Sequence, residues 1–298
     1  MGFVQRVRQA TDQHTGFCVG LDPTPDILRQ WGVGDDIGGL RRFADIMAEA
    51  CRGTVAMIKP QAAYYERFGP EGMQVMRALS LSLQDRGAVV VYDVKRGDIG
   101  STSAAYGQAY LGRNSSFRGD AMTLTAYLGF GAIQPILEHA AEQSCGVFIV
   151  VRSSNPEATM LQEAVCADGD SVAMNLARQI ESFNQAHQDD GLGPVGAVVG
   201  ATQKGVVPLI QAMPSALLLT PGIGFQGASF ADLQREFGPA LTRVVAPSSR
   251  GILAAGPDPA AIRTAIEAAQ QAMRTALAAE RPTVTTVATP CEKGRQPK

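Results

Sequence analysis

The chain has 298 residues, of which 45% are hydrophobic and 18% are charged, and its formal net charge is −2. This balance is typical of a globular protein, and it excludes both a disordered chain and a strongly basic surface for nucleic acid. No segment contains the about 18 consecutive apolar residues that a membrane span requires. The N-terminal segment, with Arg6 and Arg8, lacks the apolar core of a secretion signal. We therefore predict a cytoplasmic protein that binds neither a membrane nor a nucleic acid.

Cysteines and histidines are few and far apart. Five cysteines are spread over the chain without a C-x-x-C pair, and the three histidines are scattered as well. Buried reduced thiols fit this distribution better than a disulfide framework or a zinc site does. The sequence therefore predicts no metal site.

Eight short apolar runs rich in Val, Ile and Leu recur along the chain, and none of them alternates strictly with polar residues. Such runs are typical of strands that are buried on both faces, as in a parallel sheet. The predicted strands are Phe17–Leu21, Val55–Ile58, Ala88–Tyr92, Ala121–Leu124, Gly146–Val151, Val195–Val199, Ala216–Leu219 and Val244–Ala246.

Longer segments with a helical spacing of apolar residues lie between these runs. The clearest are Leu40–Arg52, Glu71–Gln84, Ser171–Gln185 and Ala260–Ala279. Parallel strands need crossover connections of about a dozen residues or more, and these segments are long enough. Eight strands that alternate with helices predict the α/β class and a closed (β/α)₈ TIM barrel, with a doubly wound open sheet as the alternative.

Nothing in the sequence divides the chain into two compact halves, so we predict one domain over residues 1–280. The segment 281–298 is polar, contains threonine and proline, and lacks helical spacing. Such a composition predicts a disordered tail.

Polar and charged residues directly follow most of the predicted strands. In a barrel the carboxyl ends of all strands meet at one face, where the chemistry of this fold takes place. A single charge after a strand is usually a loop residue or a helix cap, so the inference rests on the whole set. The set comprises Asp22, Lys59, Asp93–Asp98, Arg152–Pro156, Thr220–Gly227 and Ser248–Gly251.

Asp93, Lys95 and Asp98 form the most specific group in this set. Asp93 and Lys95 are two residues apart at a strand end, so both side chains should point the same way, towards the barrel axis. Lys59 comes from the neighbouring strand. Carboxylates and ammonium groups at this density hold each other charged, and a fixed ammonium group can serve as an acid. A purely structural ion-pair network is the alternative.

A glycine-rich stretch after the seventh predicted strand, G-x-G-x-x-G over 222–227, matches the dinucleotide-binding pattern. However, it lies late in the chain, Pro221 occupies the turn, and no acidic residue follows about 20 positions later. Glycine amides followed by Arg250 favour the phosphate site that many barrels build after their last strands. A nicotinamide-dependent oxidoreductase and a plain structural turn are the alternatives.

The segment DVKRGDIGST over 93–102 resembles the signature of the orotidine 5′-phosphate decarboxylases. The arginine and glycine between its lysine and its second aspartate make it similar to the branch of the family found in actinobacteria and some other bacteria. Supporting segments occur in the family's order, and the resemblance spans about residues 17–253. These segments are GLDP at 20–23, IKPQ at 58–61, RSSNP at 152–156, PGIGFQG at 221–227 and SSRGI at 248–252.

The resemblance implies a (β/α)₈ barrel that works as a homodimer and needs no cofactor. The implied reaction converts orotidine 5′-monophosphate to uridine 5′-monophosphate (UMP) and CO₂, the last step of de novo pyrimidine biosynthesis. The implied catalytic residues are Lys95, Asp93, Asp98 and Lys59. Lys95 would protonate C6 of the pyrimidine and Asp93 would lie beside the scissile carboxylate. Asp98 and Thr102 would reach into the partner subunit's site.

The resemblance also implies how the nucleotide is bound. Asp22 and Lys59 would contact the ribose hydroxyls, and Ser154 would bond to the pyrimidine edge, alone or with the preceding serine. Gln226 and Arg250 would hold the 5′-phosphate. A serine precedes Arg250 here, where many family members have glycine, which leaves open which backbone amides contact the phosphate.

Two further functions remain to be weighed against this one. Mg²⁺-dependent sugar-phosphate decarboxylases resemble the chain at the D-x-K-x-x-D signature, but they need an acidic ligand where Lys59 stands. A non-catalytic nucleotide-binding protein would not need the complete set of charged residues that this chain retains.

Overall fold

Eight parallel strands pair in chain order and close into a barrel, with the first strand next to the last. The computed structural model describes residues 1–224 and 227–279 of the chain. Closure confirms the predicted (β/α)₈ barrel and rules out the open sheet. The strands are β1 (Phe17–Leu21), β2 (Met57–Pro60), β3 (Val89–Arg96), β4 (Ala121–Leu124), β5 (Gly146–Arg152), β6 (Val195–Val199), β7 (Leu218–Leu219) and β8 (Val244–Ser248).

Helices connect the strands and cover the outside of the barrel. Four of them correspond to the predicted helices, with ends shifted by at most three residues. The helices are α1 (Phe3–His14), α2 (Pro25–Gln30), α3 (Ile37–Ala50), α4 (Ala63–Glu66), α5 (Gly69–Gln84), α6 (Gly100–Tyr110), α7 (Phe130–Glu142), α8 (Thr159–Gln162), α9 (Val172–His187), α10 (Val207–Gln211), α11 (Phe230–Phe237), α12 (Arg250–Leu253) and α13 (Pro259–Ala278). Short 3₁₀ helices lie at Pro156–Ala158 and Gly238–Arg243.

The strands are buried on both faces, as their continuous apolar runs predict. Every residue of β1 is buried. Its Phe17, Val19 and Leu21 belong to the core between the barrel and the helices, whereas Cys18 belongs to the core inside the barrel. Side chains of the strands therefore fill the interior of the barrel.

Helix α1, which the strand pattern does not predict, closes the floor of the barrel, where the strands begin. Phe3, Val4 and Val7 are buried among the interior side chains. The ring of Phe3 packs edge-on against Phe148, with 6.3 Å between ring centroids. We call the opposite end of the barrel, where the strands terminate, the mouth.

Two of the sequence predictions concern features beyond the barrel itself. The predicted tail, 281–298, lies outside the described residues. Within residues 1–224 and 227–279, no helix combines the length and the apolar character needed to cross a membrane.

Candidate active site

At the mouth of the barrel, two lysines bind opposite oxygens of one carboxylate. Lys59, on β2, donates from Nζ to Oδ2 of Asp93 at 2.7 Å, and Lys95 donates from Nζ to Oδ1 at 2.5 Å. Lys59 and Asp93 are each only 8% exposed, whereas 47% of the Lys95 side chain is exposed. The strand ends thus bring the three predicted residues together, with one ammonium group buried and the other accessible.

The charges in this cluster are held by mutual attraction against the cost of burial. Burial alone would raise the pKa of Asp93, but the ammonium groups of Lys59 and Lys95 lower it far below its usual range. Burial alone would lower the pKa of Lys59, but Asp93 and Asp22 raise it above its usual value. Asp93 and Lys59 are therefore both ionised at neutral pH.

Lys95 reaches Asp93 through an irregular backbone, whereas the two-residue spacing of Asp93 and Lys95 predicted the geometry of a regular strand end. Its φ is +42°, in the left-handed region that non-glycine residues rarely occupy. The pairing of β3 with β4 shifts between Tyr92 and Arg96, so three residues of β3 face a single residue of β4. Such bulges re-aim side chains next to active sites.

The residue of β4 that faces this bulge is Thr123, which is 1% exposed. Its hydroxyl oxygen accepts from the backbone N–H groups of Val94 and Lys95, at 3.0 and 2.9 Å. The same hydroxyl donates to Oδ1 of Asp93 at 2.9 Å. Thr123 therefore bonds to both the backbone and the carboxylate of the cluster.

Gly97 directly follows the bulged strand, at a position where no side chain would fit. A Cβ atom at this position would lie 2.3 Å from the carbonyl oxygen of Thr125. The Thr125 N–H in turn donates to the carbonyl of Arg96 at 2.9 Å. The glycine of the K-R-G-D segment thus allows the ends of β3 and β4 to approach closely.

Asp22, directly after β1, supplies a second carboxylate beside Lys59. Its Oδ1 atom is buried and makes no well-formed hydrogen bond within residues 1–224 and 227–279. Burial raises the pKa of Asp22, and the opposing effect of Lys59 is smaller. Because buried polar atoms normally have a partner, this oxygen is suited to accept a hydrogen bond from a ligand.

A pocket of about 120 Å³ lies between the ends of the first and last strands. It unites Asp22 and Lys59 with the glycine loop and with Arg250, the first residue of α12. Gly222 in that loop has a φ of +122°, which a side chain would strain. Gln226 lies outside the described residues. The pocket is lined by Gly20, Asp22, Lys59, Pro221, Gly222, Ile223, Pro247, Ser248, Ser249 and Arg250.

The two serines that follow β5 have different surroundings. The amide and the hydroxyl of Ser153 both bond to the side chain of Gln162, at 3.0 Å each, and its carbonyl accepts from Gln203 at 2.9 Å. The Ser153 hydroxyl also donates to Asn155 at 2.8 Å. The hydroxyl of Ser154 bonds to no described residue. Ser154 is therefore the serine that is available to a ligand.

Asp98 and Thr102 lie at the rim, apart from the lysine cluster. Oδ1 of Asp98 accepts from the Ile99 N–H at 2.8 Å, and no ion pair joins Asp98 to a basic side chain among the described residues. Thr102 is exposed on α6. A single chain therefore does not bring these two residues into the cluster.

Two organising residues of the site, Thr123 and Gln162, were not predicted from the sequence. Threonine is a common strand former, so Thr123 fits its strand without further explanation. It is nonetheless the one polar residue of the run Ala121–Leu124, and this was the available signal. Nothing local distinguishes Gln162, which reaches the site only because the loop after β5 folds back.

The fold and the site define a class: a (β/α)₈ barrel that carries a lysine–carboxylate cluster and a neighbouring glycine-rich loop at the carboxyl ends of its strands, the end at which barrel enzymes have their active sites. The model of the orotidine 5′-phosphate decarboxylase / HUMPS family matches residues 15–265. The chain therefore belongs to this family.

Individual relatives agree with the family model. The chain is 45% identical over 269 residues to the orotidine 5′-phosphate decarboxylase of Myxococcus xanthus, covering 89% of this chain and 92% of the relative. It is 43% identical to that of Streptomyces coelicolor, covering 93% and 99%. A crystal structure from Streptomyces avermitilis, assigned as an orotidine 5′-phosphate decarboxylase, superposes with a TM-score of 0.89 at 42% identity, covering 93% and 96%.

Proposed function

We propose that the protein is an orotidine 5′-monophosphate decarboxylase, a carboxy-lyase that forms UMP and CO₂. The observation that carries the proposal is the Lys59–Asp93–Lys95 cluster beside the pocket of Arg250, in a member of this family. The substrate has a reacting carboxylate on its pyrimidine ring and a phosphate at its other end. One cluster and one pocket at the barrel mouth match these two groups.

In the chemical step Lys95 has the main role. Loss of CO₂ leaves an electron pair at C6 of the pyrimidine, which the ring delocalises poorly. The ammonium group of Lys95 stabilises this charge as it develops and then donates a proton to C6. Asp93, kept ionised by its low pKa, holds Lys95 in place beside the substrate carboxylate.

The remaining residues bind the nucleotide away from the reacting carbon. Asp22 and Lys59 bind the ribose hydroxyls, and the unpaired Oδ1 of Asp22 supports this role. Ser154 binds the pyrimidine edge, while Arg250 and Gln226 bind the phosphate. The binding energy of the remote phosphate helps to fix the ring against Lys95, which raises the rate of the chemical step.

No cofactor enters this mechanism, because Lys95 supplies both the stabilising charge and the proton. A Mg²⁺-dependent sugar-phosphate decarboxylase would need carboxylate oxygens at the end of β2. An ammonium group stands there instead and is paired with Asp93 at 2.7 Å. This geometry favours the metal-independent reaction.

We propose that two copies of the chain form a homodimer with shared sites. Ile99, Tyr127 and Leu128 are 62%, 77% and 55% exposed and lie on the loops beside Asp98. Clustered exposed apolar side chains mark protein contacts. A second copy docked there would cover them and carry Asp98 and Thr102 into the neighbouring site.

Mixing inactive variants tests the shared site. Lys95→Ala and Asp98→Ala chains are unfolded together, refolded and assayed. Regained activity would support a site completed by the partner, because a mixed dimer then contains one intact site. Activity no higher than that of the separate variants would mean that each chain has its own complete site.

We assign the enzyme to the cytoplasm and to the last step of de novo pyrimidine biosynthesis, with a nucleotide substrate and no nucleic-acid partner. The four described cysteines, at 18, 51, 145 and 166, are free thiols. Free thiols are typical of a reducing compartment.

The experiment that tests the activity is an ultraviolet assay of orotidine 5′-monophosphate with purified protein and excess EDTA. A change to the spectrum of UMP establishes both the reaction and its independence of divalent metal. An unchanged spectrum with folded protein contradicts the proposal, and a repeat with Mg²⁺ and sugar phosphates would then test the metal-dependent relatives.

A further inference from the structure

The bulge in β3 leaves two backbone amides without their usual partners. Tyr92 pairs with Met122 and Arg96 pairs with Leu124, so the three residues between them on β3 face only Thr123. In a regular parallel sheet, consecutive amides of one strand donate to carbonyl groups of the strands on its two opposite sides. Here the side-chain oxygen of Thr123 accepts from two consecutive amides, at 3.0 and 2.9 Å.

The same hydroxyl group also fixes the carboxylate at the centre of the site. It donates its proton to Oδ1 of Asp93 at 2.9 Å, the oxygen to which Nζ of Lys95 donates at 2.5 Å. One side chain therefore holds the bulge, the carboxylate and, through the carboxylate, the ammonium group. Thr123 is 1% exposed, so it does not contact the substrate itself.

We infer that Thr123 is a positioning residue, whose hydroxyl holds the bulge of β3 and thereby aligns the Asp93–Lys95 pair with the substrate. The left-handed backbone of Lys95, with a φ of +42°, is a conformation that its surroundings must enforce. The Thr123 hydroxyl does so by bonding to the Lys95 amide. This inference rests on the proposed decarboxylase activity.

The test compares one substitution that removes the hydroxyl with one that retains it. Thr123→Val keeps the branched shape and removes the hydroxyl, whereas Thr123→Ser keeps the hydroxyl and removes a methyl group. Ser80→Ala is the control, because Ser80 is a fully buried hydroxyl on α5 that donates to the Met76 carbonyl and otherwise faces the Tyr92 hydroxyl, in the core between the barrel and the helices. Each variant is measured for kcat, KM, affinity for UMP and thermal unfolding.

We expect Thr123→Val to lower kcat by about 100-fold, the scale of a displacement of roughly 1 Å at a reacting group. The KM and the affinity for UMP should stay within about threefold, because the groups that bind the nucleotide are unchanged. Thr123→Ser should keep kcat within about fivefold of the wild type. Ser80→Ala should leave kcat unchanged, whatever it does to stability.

Three results would overturn the inference. They are a folded Thr123→Val variant with nearly wild-type kcat, a Thr123→Ser variant as impaired as Thr123→Val, or equal losses in kcat and in UMP affinity. If Thr123→Val does not fold, Thr123→Cys replaces it under the same criteria, because its thiol is a weak donor and acceptor. A wild-type protein that does not decarboxylate the substrate would instead contradict the proposed function.

Discussion

Asp93 at the mouth and Asp120 at the floor of the barrel are buried to the same degree, each with 8% of the residue exposed. Asp120 accepts from Arg6 at 3.0 Å and from a glutamine side chain and a backbone N–H at 2.9 Å each. These hydrogen bonds join α1 to the strands, and they occupy both oxygens of the Asp120 carboxylate. Asp93 instead shares its charge with Lys95, whose side chain is 47% exposed. A buried carboxylate is thus common to both ends, and an accessible ionic partner is found at the mouth.

The larger cavity lies at the floor of the barrel, not at the mouth where the lysine cluster lies. The floor has a cavity of about 860 Å³ between α1 and the segments before β3, β4 and β5, while the mouth pocket measures about 120 Å³. The floor cavity falls within the usual size range of ligand sites. The reacting groups that we propose nevertheless lie at the mouth, the end at which the active sites of barrel enzymes are found. Substitutions at the two ends should separate activity from stability.

The largest expected effect is that of Lys95→Ala on turnover. Removing the ammonium group takes away both the proposed proton donor and the charge proposed to stabilise the carbanion, so kcat should fall by about 10⁴-fold or more. Binding of UMP should persist, because the phosphate pocket is untouched. Steady-state kinetics and isothermal titration with UMP measure the two quantities. A variant that keeps a tenth of the activity would rule out Lys95 as the proton donor.

Arg250→Ala should weaken binding more than chemistry. Loss of the guanidinium group at the mouth pocket should raise KM and the Kd for UMP by about 10- to 100-fold, or about 1.4–2.7 kcal/mol. Arg113→Ala is the matched control, because Arg113 is an exposed arginine that lines the larger cavity at the floor. The control should leave both constants unchanged. An Arg250→Ala variant with lower kcat and unchanged KM would contradict the phosphate role.

At the floor, Asp120→Asn should change stability and not activity. The amide has one acceptor oxygen where the carboxylate has two, so at least one donor of Arg6, Gln84 or the Val90 backbone loses its partner. The free energy of unfolding should fall by about 1–3 kcal/mol. Urea unfolding measures this loss, and kcat measured on the folded variant should match the wild type. A large loss of kcat would show that the floor is coupled to the mouth.

The barrel could be predicted because its strands are marked by composition. Three strands have the predicted bounds: Phe17–Leu21, Ala121–Leu124 and Val195–Val199. A strand that is buried on both faces is apolar along its whole length, so its apolar run marks where it begins and ends. The seventh strand is shorter than predicted, Leu218–Leu219 rather than Ala216–Leu219. There the apolar run extends beyond the residues that pair with the neighbouring strands.

The site could be predicted only in part, for a physical reason. Asp93 and Lys95 could be identified because three charged residues, with Asp98, fall in one short segment after a predicted strand. Thr123 became important only because β3 bulges opposite it, and a bulge depends on the pairing of two strands. Helix α1 was missed because its apolar residues are few and its role depends on the open floor that it covers.

The smallest expected effect concerns the cost of keeping Asp22 ionised at the mouth. Burial raises the pKa of Asp22, so the folded protein binds a proton there more readily than the unfolded chain does. The stability of the wild type should therefore fall as the pH rises through this raised pKa. Asp22→Asn removes the buried charge and should raise the Tm at pH 7 by about 1–4 °C.

The pH dependence of that difference identifies its cause. The advantage of Asp22→Asn should be complete above the raised pKa and should vanish below about pH 3.9, where the carboxyl group is neutral in both states. Thermal unfolding at several pH values measures it, alongside the affinity for UMP, which should fall because a ribose contact is lost. A variant that is less stable at pH 7 would mean that the Asp22 carboxylate is needed to hold Lys59. A gain in stability with weaker binding would show that the mouth, unlike the floor, keeps a buried carboxylate at a cost in stability in order to bind its ligand.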